Sequence, residues 1–257
     1  MNRYLQNLNR IEFVVTMACT GRCKHCSQGE HKSSDSIDKT LAADVVQKIA
    51  SEYKIDSLMT FGGEPLLCTD TVCEIHKAAK EMNIPHRQLI TNGYFSKDFD
   101  KISSTAVRLA DSGVNQILLS VDAFHQETIP LEYVKAFAEA VKTTGINIKV
   151  HPAWLVSTDD DNPYNIRTRE ILAEFADMGI SANEGNVIFP AGNALKYLGE
   201  YLKPLKETEN PYWEDPADIR AICFSANGDI LASNIYKKDI IDILSRYKPK
   251  KRLFSKK

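Results

Sequence analysis

The chain has 257 residues, of which 43% are hydrophobic and 26% charged, and a formal net charge of -2. That is enough chain for one large α/β domain with a sizeable core, and the near-neutral balance excludes wholesale electrostatic capture of nucleic acid. No apolar run reaches the ~18–20 residues of a membrane span, Met1-Asn2-Arg3-Tyr4 opens without a signal-peptide core, and six unevenly clustered cysteines make no disulfide framework, so a reducing cytoplasm is the expected setting.

Ile11-Glu12-Phe13-Val14-Val15 reads as a first strand and runs into Cys19-Thr20-Gly21-Arg22-Cys23-Lys24-His25-Cys26. Three soft ligands on one short loop can hold an iron–sulfur cube by three corners; such a cube takes four cysteines, so one iron stays open. Two other chemistries use the same residue types. Cys23 and Cys26 could be half of a zinc site, with His25 or His31 nearby, or a redox CxxC, which leaves Cys19 over.

A polar stretch over 28–39 has the character of a loop over a site. Leu41, Val45, Ile49 and Tyr53 then recur at steps of four, the mark of a helix with one apolar face. Ser57-Leu58-Met59-Thr60-Phe61 is a short buried strand ending in Gly62-Gly63-Glu64-Pro65, and Val72, Ile75, Ala79 and Met82 give a second helix. Gln88-Leu89-Ile90-Thr91 is a strand ending in Asn92-Gly93, and Ile102, Ala106 and Leu109 mark a helix closed by Gly113. The strand from Gln116 to Val121 ends in Ser120 and Asp122, and the helix bearing Leu131, Val134, Phe137, Ala138 and Val141 stops at Gly145. Ile146 to Val150, a helix with Leu172, Phe175 and Ala176, and a sixth strand near Ala182 to Phe189 complete the alternation.

Strand starts fall roughly thirty to forty-five residues apart, as strand–helix units of a parallel sheet do. Six such units predict an α/β fold, a partial (β/α)6 barrel over 1–202. In closed barrels the site forms at the C-terminal strand ends, and each polar cluster above sits at such an end. From Asn193 the alternation stops. Pro204, Pro211 and Pro216 mark a linker-like passage through Tyr212-Trp213. Ala221-Ile222-Cys223-Phe224, Asn227-Gly228 and Ile230-Leu231-Ala232 read as a β-hairpin, with a helix carrying Ile240, Ile243 and Leu244 packed on it. Residues 203–257 are therefore expected to form a small appendage. Lys248, Lys250, Lys251, Arg252, Lys256 and Lys257 read as a solvated basic tail.

The CxxxCxxC spacing of Cys19, Cys23 and Cys26 resembles the cluster loop of the radical S-adenosylmethionine (radical SAM) superfamily, in which the methionine amine and carboxylate fill the fourth corner of a 4Fe-4S cluster. His25 stands before the last cysteine, where that family carries an aromatic residue or a histidine. Gly62, Gly63, Glu64 and Pro65 match its GGEP signature, which binds the methionine ammonium; glycines let backbone approach closely. The resemblance further implies that Asn92, Ser120 and Asp122 hold the ribose and the methionine carboxylate, and that Ile188-Phe189-Pro190 offers backbone and apolar surface to adenine. An ionised Asp122 can only accept, which suits ribose hydroxyls or a substrate donor. Polar strand ends equally serve as helix caps. Asn193 in Pro190-Ala191-Gly192-Asn193-Ala194 stands where peptide-modifying members carry arginine, so a role needing a guanidinium is not available there.

His125 and His151 fall near the expected mouth, as proton relays or as hydrogen-bonded wall residues. Asp159-Asp160-Asp161 reads as a solvated loop, and Cys73 as a small hydrophobe on the second helix. The segment from Cys223 to Ile230 resembles the opening of the auxiliary-cluster domain called SPASM or its shorter Twitch form, but no further cysteine follows Cys223, so a second cluster is not expected. Cys223 is then either a core thiol or a functional one, a hydrogen-atom donor to a carbon radical.

The resemblance implies an enzyme that uses one 4Fe-4S cluster, reduced by a flavodoxin or ferredoxin, to cleave S-adenosylmethionine to a 5′-deoxyadenosyl radical and abstract hydrogen from a peptide or protein side chain. An activase of a glycyl-radical enzyme is the other enzymatic reading. A zinc-binding scaffold is the reading outside catalysis.

Overall fold

Short runs in which every second residue is apolar build a sheet covered on one face. In this computed structural model, which describes residues 2–30, 33–202 and 214–249, β1 (Arg10–Val14) buries Ile11 and Phe13 fully while Arg10 and Glu12 turn to the other face. His31, the passage through Pro204, Pro211, Tyr212 and Trp213, and the tail residues Lys250, Lys251, Arg252, Lys256 and Lys257 lie outside the described residues.

The expected alternation follows. After β1 come α1 (Lys39–Glu52), β2 (Ser57–Phe61), a 3-10 turn over Pro65–Cys68, α2 (Thr69–Glu81), β3 (His86–Thr91) and α3 (Phe99–Ser112). Then come β4 (Gln116–Leu119), the short α4 (Ala123–Gln126), α5 (Leu131–Thr143) and β5 (Asn147–Val150). Helix starts are set by side-chain caps: Asp38 accepts from Leu41 N, and Asp98 from Asp100 N and Lys101 N. Gly113 ends α3 at φ 97°, a left-handed conformation that glycine takes without penalty. The helices cover the face carrying Leu58, Leu89, Ile117 and Val150, and together they form the main core.

β6 (Ala153–Trp154), α6 (Pro163–Asp177) and β7 (Asn186–Val187) follow. The expected sixth strand is interrupted: β7 pairs with β6 as a separate two-stranded sheet, and an isolated parallel bridge joins Val150 to Ala182. Bonds from Val150 N to Ser181 O (3.0 Å), Asn183 N to Val150 O (2.9 Å) and Ile188 N to Trp154 O (2.8 Å) still lay 181–188 along the fifth strand. Beyond it, α7 (Asn193–Tyr197) and α8 (Gly199–Leu202) close a satellite core of Phe124, Leu155, Ile188, Ala194, Leu198 and Leu202.

The C-terminal segment corrects the hairpin expectation. Ala221–Phe224 forms β8, which joins the main sheet parallel to β1, with Cys223 opposite Glu12; the strand order is β5-β4-β3-β2-β1-β8. The hairpin is built instead from β9 (Asp229–Ile230) and β10 (Ser233–Asn234), antiparallel across Leu231 and Ala232. Asn227-Gly228 does turn and closes Ser225 N on Asp229 O at 3.1 Å, so that β9 touches β8, but the two strands do not pair as a ladder. α9 (Ile240–Arg246) packs below, against α1. Part of 203–257 is thus an edge of the barrel sheet, because Ile222 and Phe224 bury in the main core and Phe224 stacks on Phe13 at 4.8 Å.

The opposite, inner face is mixed, a polar layer with Met59, Ile90 and Leu118 on the same side. Arg10, Glu12, Gln88, Gln116 and Cys223 lie on it in register, with Met59 between Glu12 and Gln88. Arg10 Nε donates to Glu12 at 2.5 Å and its Nη1 to Gln88 at 3.4 Å.

Candidate active site

The cysteine loop is an extension of the sheet. Past the end of β1 and β2 the two chains stay bonded, Val15 N to Phe61 O, Gly63 N to Thr16 O and Glu64 N to Ala18 O, each at 2.7 Å. Gly62 and Gly63 are needed for that contact: a Cβ on Gly62 would lie 2.5 Å from Thr16 O, and one on Gly63 2.1 Å from Ala18 O. The close approach they allow is to the backbone that carries Cys19.

Glu64 is fully buried and its carboxylate is spent inside the protein. One oxygen accepts from Leu66 N (2.9 Å) and Thr91 Oγ1 (2.7 Å), the other from Asn92 N (2.8 Å). Burial pushes its pKa up to about 7, against these three donors. Glu64 therefore clamps the end of β2 to the end of β3 and caps the turn that Pro65 begins. Asn92, held by that clamp, points its amide at the cysteine loop, with Nδ2 3.7 Å from Cys19 Sγ and 3.2 Å from Thr20 Oγ1. Ser120 is half-buried at the next strand end, its N–H bonded to Thr91 O at 2.8 Å.

The three thiols sit in one environment. Burial pushes Cys19 up to about 11 and raises Cys23 and Cys26, and the neighbouring thiols add to the shift at Cys19 and Cys23. Two N–H groups face Cys19 Sγ, Asn92 Nδ2 and the Gly21 amide at 3.4 Å. Donors aimed at a sulfur suit a ligated thiolate. Among the described residues, the group whose ligand atoms all lie within 4.8 Å of one another is Cys23, His25 and His125. Cys19 and Cys26 stand outside it. Three thiols on one loop with donors on the sulfur fit a 4Fe-4S cluster.

Asp122 does something other than hold a ribose. Its carboxylate is fully buried and accepts four bonds, from Phe124 N (3.0 Å), His125 N (2.9 Å), His125 Nδ1 (2.8 Å) and Ala153 N (3.0 Å). A carboxylate offers about four lone-pair sites, so none is left for a ligand. Burial works to raise its pKa, but the His125 imidazole, His25 and the backbone N–H donor together outweigh it and hold the group well below the usual carboxylate range. His125 is thereby fixed with its ring edge against His25, 4.8 Å between centroids, and His25 also meets Phe124 at 5.0 Å. Burial lowers His25 to about 4, and its Nδ1 is buried with no hydrogen-bond partner among the described residues. The spacing of Asp122 and His125, three apart at a helix start, was the available signal for this pair.

His151 is a wall residue: its Nδ1 lies 3.0 Å from Asn183 Oδ1 and its Nε2 2.8 Å from Asn186 Nδ2. Ile188 turns its side chain into the satellite core and is 5% exposed, so its surface is not open to adenine; Phe189 beside it is half-buried. Asn193 proves structural in a way the missing arginine did not foretell. Its N–H donates to Cys26 O at 2.9 Å and its Nδ2 to Cys23 O at 3.2 Å. Gly192, at φ 52°, lets this segment lie directly on the loop, since a Cβ there would be 2.4 Å from Ser27 O. Cys73 packs beside the main core, with Sγ 3.8 Å from Arg108 O, and Asp161 pairs with Arg169 at the surface.

Cys223 is no core thiol. The residue is exposed, between the buried Ile222 and Phe224, and its side chain shares the inner face with Glu12. Although the residue is open to solvent, the protein crowded around it inside the barrel weakens hydration of a thiolate and, with the Glu12 carboxylate adding, pushes the thiol up to about 12.

A family model for the Radical SAM superfamily matches residues 13–151, more than half of the chain. A "Probable GTP 3',8-cyclase" of Saccharolobus islandicus is 25% identical over 219 residues, covering 80% of this chain and 68% of that protein. Another of that description from Methanocaldococcus jannaschii is 26% identical over 129 residues, 49% of this chain and 40% of the relative. Among solved structures, Streptococcus suis SuiB bound to precursor peptide SuiA superposes with a TM-score of 0.62 at 15% identity, over 95% of this chain and 65% of SuiB. The anSMEcpe enzyme with bound AdoMet gives 0.55 at 14% identity, over 90% and 76%. These structural likenesses bear on the fold, and this chain spans about two thirds of the SuiB length.

Proposed function

The chain belongs to the radical SAM superfamily, an enzyme family built on a 4Fe-4S cluster and S-adenosylmethionine, and from that premise we propose that Cys19, Cys23 and Cys26 hold the cluster and that the substrate is a peptide or protein side chain. When bound, the reduced cluster and S-adenosylmethionine supply a 5′-deoxyadenosyl radical that takes a hydrogen atom from substrate. An acidic electron carrier of the flavodoxin or ferredoxin type would reduce it.

The rest is the work of this chain's own residues. Gly62 and Gly63 bring the end of β2 against the cysteine loop, the Glu64 carboxylate locks β2 to β3, and Asn92 donates toward the Cys19 sulfur. Asn193 holds the carbonyls of Cys23 and Cys26 from the opposite side. His25 packs its ring against Phe124 and His125 beside the loop. To Gly62 to Pro65, Ser120 and the segment at Ile188 and Phe189 we assign the reception of S-adenosylmethionine, on the family resemblance of these strand ends. Cys223, a protonated thiol on the inner face, is the hydrogen donor that returns an atom to the substrate radical: the S–H bond breaks, a C–H bond forms, and the sulfur keeps the unpaired electron.

The observation that carries this reading is the double anchoring of the three-thiol loop at the C-terminal strand ends, where barrel enzymes do their chemistry. The likeness to SuiB, solved with a precursor peptide, supports a peptide substrate. The relatives described as GTP 3',8-cyclases favour a purine nucleotide instead. Formation of 5′-deoxyadenosine under dithionite, with a pool of cytosolic peptides or with GTP, separates the two. Stimulation by peptides and silence with GTP is the expected result, and the reverse would replace the peptide reading.

A further inference from the structure

The strand that carries Cys223 is also an edge of the sheet, and its unpaired backbone has a definite direction. In a parallel ladder, alternate residues turn both N–H and C=O to the same neighbour. Arg220 O accepts from Arg10 N at 3.1 Å, and Cys223 is the register partner of Glu12. The N–H and C=O of Ile222 and Phe224 therefore face β1, and those of Ala221 and Cys223 face away from it. β8 is last in the strand order, and among the described residues no strand pairs with its outer side. Ala221 N is turned toward a Glu214 carboxylate oxygen at 3.5 Å. Among the described residues, nothing bonds the N–H or C=O of Cys223 on that side, whereas the next outward residue, Ser225, already donates its N–H to Asp229 O at 3.1 Å.

An edge of this kind is a template for another extended chain. Its donors and acceptors repeat every second residue, about 6.6 Å apart, which is the repeat of a polypeptide in β conformation. A nucleotide has no such repeat. A residue paired directly opposite Cys223 in an added strand would have its α-carbon within about 4.5–5.5 Å of the Cys223 α-carbon. It would also share the inner face with Cys223, Glu12 and Arg10.

We propose that β8 receives a peptide substrate in extended form by strand addition, pairing through the Ala221 carbonyl and the backbone N–H and C=O of Cys223, with the thiol of Cys223 facing the residue opposite. This deepens the peptide reading above and rests on it. Strand addition completes one more position of an open barrel. It accounts for an exposed cysteine between the buried Ile222 and Phe224, and it brings the target residue to the donor without a dedicated side-chain pocket.

Disulfide tethering tests this without knowledge of the natural sequence. The reconstituted enzyme would be coupled at Cys223 to a seven-residue threonine–valine peptide carrying a central cysteine activated as the pyridyl disulfide. A second peptide, identical but N-methylated at alternate residues, could not pair. Amide hydrogen exchange at Cys223 is expected to slow on the order of tenfold or more with the first peptide and to stay unchanged with the second. Equal exchange with both peptides would overturn the proposal. So would a Cys223 that reacts with methyl methanethiosulfonate but refuses both peptides. Formation of 5′-deoxyadenosine by the untethered enzyme reports on the underlying reading separately, so the failure of one is not mistaken for failure of the other.

Discussion

Each residue at this site answers to a bond count. Glu64 has three donors on a buried carboxylate, so Glu64→Gln keeps the shape but turns an N–H₂ toward a backbone N–H or a hydroxyl. Leaving such groups unsatisfied costs about 1–3 kcal/mol. The variant should unfold at lower denaturant concentration and lose iron faster to a chelator; unchanged iron retention would show that the clamp does not support the loop. Cys223→Ser should leave S-adenosylmethionine cleavage intact while substrate product is lost or altered, because a hydroxyl O–H bond is too strong to give hydrogen to a carbon radical. Wild-type product from this variant, identified by mass spectrometry, would retire the donor role. Asp122 shows where reading residue types alone stops. Its place at a strand end was legible, but its four donors come from α4 and from Ala153 on a later strand, and only the folded chain brings them together.

Elements are joined here by single side chains reaching between them. Asn193 ties α7 to the cysteine loop, and Asn193→Ala removes the 3.2 Å bond to Cys23 O while keeping the backbone bond to Cys26 O. One such bond is worth roughly 0.5–1.5 kcal/mol. A modest rise in cluster loss on air exposure is expected, with the fold intact by circular dichroism; a collapse of the fold would mean the residue bears more than this bond.

Another junction titrates. His76 of α2 is fully buried against Thr60 of β2, 2.8 Å from Nε2 to Oγ1, and burial lowers its pKa to about 3. The imidazole stays neutral in the folded chain, whereas in the unfolded chain it takes a proton near pH 6.5. Stability from this group is therefore full above about pH 6.5 and falls as pH drops toward 3, by up to ~5 kcal/mol. The Thr60→Val, His76→Leu double variant should flatten the fall in melting temperature between pH 6.5 and 4.5; an unaltered slope would exclude His76 as its source.

At the scale of the molecule, much of the barrel could be read from local pattern, since Leu41, Val45 and Ile49, or Ile102, Ala106 and Leu109, advertise their helix face within a dozen residues. The C-terminal strand could not. Asn227-Gly228 is a strong short-range hairpin signal, but Ile222 and Phe224 find their partners in β1, more than two hundred residues earlier. A four-residue strand reads alike in either pairing, and the choice falls to which apolar surface is left uncovered. That placement moved Cys223 from a small appendage to the inner face of the barrel, and it turned an ambiguous cysteine into a member of the site.

The central claim is that one loop with three thiols holds one cluster and that this cluster drives cleavage of S-adenosylmethionine. Anaerobic reconstitution of the wild-type chain and of the Cys19→Ala, Cys23→Ala, Cys26→Ala triple variant, followed by iron, sulfide and 5′-deoxyadenosine analysis with dithionite present, tests it most directly. The wild type should carry about four iron and four sulfide per chain and form 5′-deoxyadenosine, and the triple variant should do neither. Stoichiometric zinc in place of iron, or 5′-deoxyadenosine from the triple variant, would contradict it.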